Sequence, residues 1–342
     1  MTELPPDAHI VNETSYAFVD SDQDTDEFEF VDNGNQQQPS DAVSCSSVSA
    51  LSSVYEDEFV HDRRYHGYKK GRYPLPNDEI EQQREEMNHT MMVEIADGRL
   101  FFADIGNHPQ KIIDIGTGTG LWVIDVADKF PSASVIGTDL SAIQPQWMPV
   151  NARMFVEDCE EEDWLHGTGF DLVHYRSVAN LVKDFDNGGW IEVQEILPRI
   201  LCDDDSMLPD DPLRLLFEAA EQGLKKFGFK QYGLMDIQDS LKRAGYTNVQ
   251  CIRRKVPVSP WARDKHFRSL GTLMKANIVG ILGALAAKPL AAIDVEEKDR
   301  RSLMKMARQS LDDNRVHRYV ECGFCFAQKG QARPTTPLDS GI

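Results

Sequence analysis

The sequence has few features of a secreted, membrane-spanning or nucleic-acid-binding protein. No positively charged and then apolar segment opens the chain, so we expect no secretory signal. The most apolar stretch, 276–287, has only twelve residues between Lys275 and Lys288, whereas a transmembrane helix needs about twenty. This stretch therefore predicts a buried or lid helix and no membrane span. The sequence also lacks the basic stripe expected of a protein that binds DNA or RNA directly.

Cysteine is scarce, and its spacing does not indicate a metal site. Six cysteines are spread over 342 residues, and only Cys322 and Cys325 form a Cys-x-x-Cys pair. No second pair or nearby histidine cluster completes a zinc ligand set. The pair also alternates with residues typical of a strand. We therefore expect Cys322 and Cys325 to be reduced structural thiols of a cytosolic or nuclear protein, and we predict no metal ion.

Basic residues are absent from the first sixty residues, which contain fourteen acidic ones. This segment supplies most of the net charge of −20 and leaves −6 for the rest of the chain. It is rich in Asp, Ser and Gln and cannot bury enough apolar surface to offset the entropy lost on ordering. We expect a disordered acidic tail at 1–60, an N-terminal helical lid segment at 61–110, the main folded domain at 111–330 and a flexible tail at 331–342.

Beyond the acidic segment, the hydrophobic pattern alternates between strands and helices. The predicted strands cover 111–115, 134–139, 152–157, 170–175, 189–194, 249–256 and 318–328. The predicted helices cover 79–96, 122–130, 213–227, 236–244, 266–287 and 295–313. Short apolar strands separated by helices indicate an α/β fold, in which a mostly parallel seven-stranded sheet carries helices on both faces.

The most informative segment follows the first of these strands and has the sequence Asp114-Ile-Gly116-Thr-Gly118-Thr-Gly120. A strand that ends in a glycine-rich turn at a helix start lets backbone amides approach a ligand at the positive end of the helix dipole. A dinucleotide site would have its third glycine where this chain has Leu121. Strictly alternating glycines, with an acid two residues before the first, instead favour an S-adenosylmethionine site.

Acidic residues follow the next two predicted strands. Asp139 ends the second strand, 19 residues after Gly120, where a carboxylate can accept hydrogen bonds from both ribose hydroxyls. Such charge-assisted bonds contribute roughly 1.5–3 kcal/mol each. Glu157 and Asp158 follow the third strand, where methyltransferases place an acid against the adenine amino group. The order of these elements favours S-adenosylmethionine and leaves an NAD-dependent oxidoreductase as the weaker alternative.

Two further side chains are candidates for the chemistry, and one for the cofactor. A sulfonium is a good leaving group, so positioning supplies much of the rate of methyl transfer, and a base is needed only for a protonated acceptor. His174 and Arg176 end the fourth strand, where parallel sheets bind ligands. His174 is a candidate base or a structural histidine, and Arg176 either anchors an anionic acceptor or caps a loop. Tyr68 either forms part of a lid over the cofactor or only packs against other side chains.

With these motifs, the chain resembles the fungal LaeA-like methyltransferases associated with velvet regulators. The resemblance runs from about Tyr65 to Lys329. Besides the glycine turn, it is carried by Tyr65-His-Gly-Tyr68, Gly71-Arg-Tyr-Pro-Leu-Pro-Asn-Asp78, Gly137-Thr-Asp-Leu-Ser141, Gln144-Pro145, Glu157-Asp158, Arg176-Ser177 and Gly188-Gly-Trp-Ile-Glu-Val-Gln-Glu195.

The resemblance implies a Rossmann-like, class I methyltransferase domain. It places S-adenosylmethionine at Asp114, Gly116, Gly118, Asp139 and Asp158. It also implies roles in fungal development and secondary metabolism, velvet-type or other protein partners, and residence in the nucleus and the cytoplasm.

The link between the fourth and fifth strands departs from the family pattern. Relatives have a long helix here that ends in a Pro-Gly-Gly turn, whereas residues 177–187 alone separate Arg176 from Gly188. A parallel crossover needs a dozen or more residues, so this link is at the lower limit. We expect a stunted helix or a deletion that leaves one sheet face poorly covered. The short link favours, as the alternative function, a partner-binding scaffold with weak or no turnover.

Overall fold

The computed structural model describes residues 57–60, 63–161, 165–178, 189–229 and 232–329. The predicted tails and the short link lie outside these ranges, except for 57–60 and 177–178. The strands are β1 (Glu58–Val60), β2 (Arg63–Tyr65), β3 (Lys111–Ile115), β4 (Ser134–Asp139), β5 (Ala152–Val156), β6 (Leu172–Arg176), β7 (Trp190–Leu201), β8 (Tyr246–Pro257) and β9 (Tyr319–Lys329). The helices are α1 (Glu79–Ile95), α2 (Leu121–Lys129), α3 (Pro212–Lys225), α4 (Leu234–Arg243), α5 (Lys265–Ala286), α6 (Lys288–Ala291) and α7 (Glu297–Ser310).

Seven of the strands form one sheet in the order β5-β4-β3-β6-β7-β9-β8. Strands β3 to β7 are parallel, and β9 lies antiparallel between β7 and β8. The predicted mostly parallel, seven-stranded sheet is confirmed. The chain leaves β3 on one side through β4 and returns on the other side as β6, so the carboxyl end of β3 is a topological switch point, where such sheets bind ligands.

Alternate residues of the central strands face opposite sides of the sheet, as the two-residue strand period requires. Ile112 and Leu172 pack in one core with Val123 of α2. Ile113 and Val173 pack in another core on the opposite side, beneath α4. The central strands are apolar on both faces because helices cover both, which is the arrangement that the sequence predicted.

A further core lies between β9 and the helices α1, α3, α5 and α7. Met91 and Met92 of α1 are buried in it, so the helix of the predicted lid segment packs into the body of the fold. The stretch Lys265–Ala291 is long and apolar enough to cross a membrane by length and composition alone. However, 56% of its most apolar window is buried, and its Leu270 and Met274 pack in this core.

The Cys-x-x-Cys pair differs from the sequence expectation. Cys325 forms a disulfide with Cys251, its direct partner on the neighbouring strand β8, at a Cα–Cα distance of 4.1 Å. Cys322 is free and buried, and burial raises the pKa of its thiol. The prediction of a reduced thiol is therefore wrong for Cys325. Spacing along the chain could not show the disulfide because the two cysteines meet only through strand pairing.

Helix α3 crosses the start of α6 so closely that only a glycine fits at position 223. A Cβ there would lie 2.0 Å from the carbonyl oxygen of Pro289. We expect Gly223→Ala to lower the free energy of unfolding by about 1–3 kcal/mol, despite the better helix propensity of alanine. Urea unfolding followed by circular dichroism measures this change.

Gly283→Ala in α5 is the matched control. Its added Cβ meets nothing closer than Arg63 Nη1 at 3.6 Å, so stability should stay constant or rise by up to about 1 kcal/mol. Equal effects of the two substitutions would contradict the close crossing.

Candidate functional site

A cavity of about 230 Å³ opens at the carboxyl ends of the parallel strands. Six of the nine residues predicted for the site line it: Asp114, Gly116, Gly118, Asp139, Asp158 and Arg176. Gly120, Tyr68 and His174 are not among its described lining residues. Within the described part of the chain, no group of three or more His, Cys, Asp or Glu side chains could hold a metal ion.

The glycine turn between β3 and α2 follows a path that favours glycine. The φ angles of Gly116, Gly118 and Gly120 are 73°, 56° and 80°, all in the left-handed region. The amides of Gly116 and Thr117 both donate to the carbonyl of Thr138 on β4, at 2.8 and 2.9 Å. Gly120 is the N-cap of α2, and a Cβ there would collide with Met154. Its role is thus to let the turn enter the helix.

Asp139 joins the glycine turn to the loop that follows β4. One carboxylate oxygen accepts the Gly118 amide at 2.8 Å, and the other accepts the Ser141 amide, also at 2.8 Å. Gln144 supports the same junction because its amide donates to the carbonyls of Gly118 and Ser141, both at 2.8 Å. Burial raises the pKa of Asp139, and the two backbone bonds act against that rise.

Asp158 and Tyr68 both make polar contacts in the region that follows β5. Asp158 is buried and lies 3.5 Å from Lys69 Nζ and 3.4 Å from Arg72 Nε. The Tyr68 hydroxyl donates to Glu161 at 3.1 Å, beside the cavity. The tyrosine-rich segment before α1 therefore contacts the end of β5, which the sequence associates with adenine.

His174 is fully buried behind the cavity. Its Nδ1 lies 2.7 Å from Asp114 Oδ1, because the two residues are register partners on β6 and β3. Its ring stacks on Trp122, with centroids 3.8 Å apart and planes 3° from parallel. Burial lowers the pKa of His174, although Asp114 acts to raise it. A base must reach the proton that it removes, so the structure gives no support to His174 as that base.

Arg176 lines the cavity, but its guanidinium is engaged on two sides. Nε and Nη2 donate to Gln194 Oε1 at 3.0 and 2.8 Å, and Nη1 lies 2.8 Å from His89 Nδ1. Burial lowers the pKa of Arg176 to about 10. Gln194 in turn donates to Glu192, whose pKa burial raises to about 7. Arg176 is thus part of a buried polar chain.

Glu85 is a residue of the cavity that the sequence analysis missed. It lies on α1, and a Cβ added to Gly118 would be 2.7 Å from Glu85 Oε2. That oxygen is buried and has no hydrogen-bond partner among the described residues. Burial raises the pKa of Glu85 to about 8. The available signal was the four-residue spacing of Glu81 and Glu85, which puts both on one helix face with Arg84 close by.

The raised pKa of Glu85 predicts a pH dependence of stability. Between its ordinary value of 4.5 and about 8, the folded protein keeps a proton that the unfolded chain has lost. The free energy of unfolding should therefore fall as pH rises through this window. Glu85→Gln removes the titration and should reduce the fall between pH 5.5 and 8 by about 1–3 kcal/mol, less than the full shift gives because the side chain is 28% exposed.

Urea unfolding at the two pH values measures this difference. Glu86→Gln, at the exposed neighbouring position, is the matched control and should keep the wild-type pH dependence. A Glu85→Gln protein with an unchanged pH dependence would show that the Glu85 carboxyl titrates normally.

Known proteins of similar sequence include one named as a methyltransferase and several named as regulators of secondary metabolism. Residues 87–250 match a family described as a methyltransferase domain. The chain is 36% identical over 256 residues to Methyltransferase pytC of Aspergillus terreus, covering 71% of this chain and 78% of the relative. It is 30% identical over 306 residues to Secondary metabolism regulator LAE1 of Cochliobolus heterostrophus, covering 83% and 97%. For Secondary metabolism regulator laeA of Aspergillus flavus, the identity is 28% over 297 residues, covering 81% and 79%.

Proposed function

The chain belongs to the LaeA-like class I methyltransferases, whose cofactor is S-adenosylmethionine, and on this premise we propose that it catalyses methyl transfer in the cavity beside β3. The observation that carries the proposal is the convergence of a glycine turn and several carboxylates at the ends of adjacent strands. The amide of Gly118 and the carboxylate of Asp139 are within hydrogen-bond distance of each other there.

The lining of the cavity offers acidic groups that fit a cationic cofactor. A Cβ at position 116 would lie 3.0 Å from Val178, and one at position 118 would lie 2.7 Å from Glu85, so only glycine lets these side chains approach the turn so closely. The Glu85 carboxyl over Gly118 suits a cationic sulfonium or ammonium group, because burial holds its proton in the folded protein and a bound cation would favour the loss of that proton. The NAD alternative is disfavoured by Leu121, which stands where a dinucleotide site has its third glycine.

Each residue of the cavity has a distinct proposed role. Gly116 and Gly118 would cradle the methionine part, and Asp114 would accept from its ammonium group. Asp139 would accept from the ribose hydroxyls, because a carboxylate oxygen has capacity beyond the one backbone bond that it makes. Asp158 would accept from the adenine amino group. His174 is a positioning residue in this scheme, since it and Trp122 fix the orientation of Asp114.

When bound, the cofactor supplies a methyl group on a sulfonium leaving group. The chain then contributes orientation, and a proton acceptor is needed only if the methyl acceptor carries a proton at the reacting atom. Arg176 would hold one wall of the reaction zone in place through Gln194 and His89.

Cofactor binding can be tested at Gly118. We expect micromolar binding of S-adenosylhomocysteine to the wild-type protein in calorimetric titration, and no detectable binding to Gly118→Arg, because the new side chain would occupy the turn beneath Glu85. Gly106→Arg is the matched control, since Gly106 also has a positive φ of 72° but nothing lies within 4 Å of its added Cβ. Tight binding of NAD in place of S-adenosylhomocysteine would refute the assignment.

The ribose contact can be tested separately at Asp139. Asp139→Asn should weaken S-adenosylhomocysteine binding by about tenfold to a hundredfold, the equivalent of roughly 1.5–3 kcal/mol. Asp171→Asn is the matched control, because Asp171 also accepts two backbone amides, from Gln110 and Lys111, but at the amino ends of the strands. Equal losses in the two variants would attribute the effect to folding and not to a ribose contact.

The broader role that we propose is regulation of fungal development and secondary metabolism, with velvet-type or other protein partners, in the nucleus and the cytoplasm. Similarity to proteins named as secondary metabolism regulators supports the metabolic part of this proposal. The family resemblance alone motivates development, partners and location. Fluorescent tagging of the full chain in its host, with partner capture from each compartment, tests them.

A scaffold that binds the cofactor without turnover is the second candidate, favoured by the short link at 177–187. The two candidates differ in whether a methyl group is transferred. Incubation with tritiated S-adenosylmethionine in an extract from a strain that lacks the protein distinguishes them. Labelled product supports the enzyme, whereas binding without any labelled product supports the scaffold.

A further inference from the structure

A second cavity, also of about 230 Å³, adjoins the first. The two cavities share wall residues, which are Tyr73, Arg84, Asn88, Ser177 and Phe229. Because the same side chains border both spaces, a ligand in the second cavity would lie next to one in the first. The arrangement places two binding spaces side by side at the reaction zone.

The walls of the second cavity are largely apolar and come from packed helices. Helix α3 contributes Phe217 and Leu224, and α5 contributes Ile278 and Ile281. Glu195 and Glu221 also reach the wall, and Glu221 is paired with Lys225 at 2.8 Å. A mainly apolar cavity with a few polar groups is the usual form of a small-molecule site.

Hydrogen bonds between α1 and α5 fix part of the cavity wall. Asn277 of α5 donates to Asn88 Oδ1 at 2.8 Å and accepts from Arg84 Nη1 at 2.9 Å. Protein interiors are otherwise close-packed, and apolar space that stays empty lowers stability. A fixed wall around such a space therefore points to a ligand that fills it.

We propose that this second cavity, called here the acceptor cavity, binds the methyl acceptor, and that the acceptor is a small, mainly apolar molecule with one nucleophilic heteroatom. The inference rests on the proposed methyltransferase function and adds the substrate class. A molecule of this kind would place its apolar body among the side chains of α3 and α5 and its heteroatom at the boundary with the first cavity.

Tyr73 is positioned to orient the heteroatom. Its side chain borders both cavities, and its ring lies 5.6 Å from the ring of Phe229, which borders both as well. Burial raises the pKa of Tyr73, with Glu85 and Glu81 adding to the rise, so the hydroxyl stays protonated and can donate a hydrogen bond.

The transfer step balances without a further reactant. A lone pair of the acceptor heteroatom forms the new bond to the methyl carbon. The bond from that carbon to sulfur breaks, and sulfur keeps the electron pair. A proton carried by the heteroatom passes to solvent water.

The test uses 2-naphthol, a neutral bicyclic phenol, as a probe of the acceptor cavity in the full chain. Calorimetry would measure its affinity with and without saturating S-adenosylhomocysteine. We expect binding to the wild-type protein in both conditions, because the two cavities are separate. Leu224→Trp, which fills the acceptor cavity, should weaken 2-naphthol at least tenfold while leaving the affinity for S-adenosylhomocysteine within twofold.

Leu215→Trp is the matched control, because Leu215 lies on the same helix but is 40% exposed and away from the cavity; its affinity for 2-naphthol should stay within twofold. If Leu224→Trp loses S-adenosylhomocysteine binding through misfolding, Ile281→Trp replaces it. Unchanged 2-naphthol affinity in a folded cavity-filling variant, no wild-type binding, or competition with S-adenosylhomocysteine would overturn the acceptor site. Failure of S-adenosylhomocysteine itself to bind would instead overturn the proposed function, and the acceptor site with it.

Discussion

The hydrogen bonds that Asp139 accepts from Gly118 and Ser141 hold the candidate site together. They fix a glycine turn that leaves β3 to the end of β4, so that two adjacent parallel strands present one continuous ligand surface. The turn can reach Asp139 only because its glycines adopt left-handed backbone angles, which side chains disfavour. The strand order, the glycine turn and the Asp139 carboxylate thus depend on one another, and the loss of any one would separate the two parts of the ligand surface.

Buried polar groups surround this arrangement, and their desolvation lowers the free energy of unfolding. One chain of hydrogen bonds behind the cavity runs from Arg176 through Gln194 to Glu192. Each side chain in it meets part of the hydrogen-bonding capacity of the next. Glu85 is different, because one of its carboxylate oxygens is buried without a hydrogen-bond partner among the described residues. Because burial raises the pKa of Glu85 to about 8, the carboxyl keeps its proton near neutral pH, and its ionisation lowers stability. A cationic cofactor beside Glu85 would stabilise the ionised form, so a carboxyl that is costly to ionise in the free protein agrees with the proposed function.

The sequence predicted the parts of the fold that depend on local pattern. Strands β3 and β4 begin and end where their apolar runs do, and the glycine turn lies between β3 and α2, as expected. Strand β7 continues past the predicted end at Gln194 because its antiparallel pairing with β9 extends beyond β6. No local pattern contains that information.

Features that depend on distant parts of the chain were missed or misjudged. The disulfide of Cys325 requires the pairing of β8 with β9. Glu85 reaches Gly118 only because α1 packs across the sheet ends. The environment of His174 depends in part on a simpler feature, since the register of two parallel strands places it beside Asp114. Its burial nevertheless depends on Trp122, whose position is set by the packing of α2.

Helix α1 forms a shared wall between the two cavities, so its position sets the alignment of the two ligands in the proposed reaction. Glu85 faces the glycine turn, while its neighbour Arg84 and the next-turn residue Asn88 border both spaces. Asn88 is also bonded to α5, the helix that lines the apolar side. A movement of α1 would therefore change the first cavity and the acceptor cavity together. Burial of Met91 and Met92 in the core holds α1 in place. Methyl transfer depends mainly on the alignment of its two reactants, and a fixed α1 maintains that alignment.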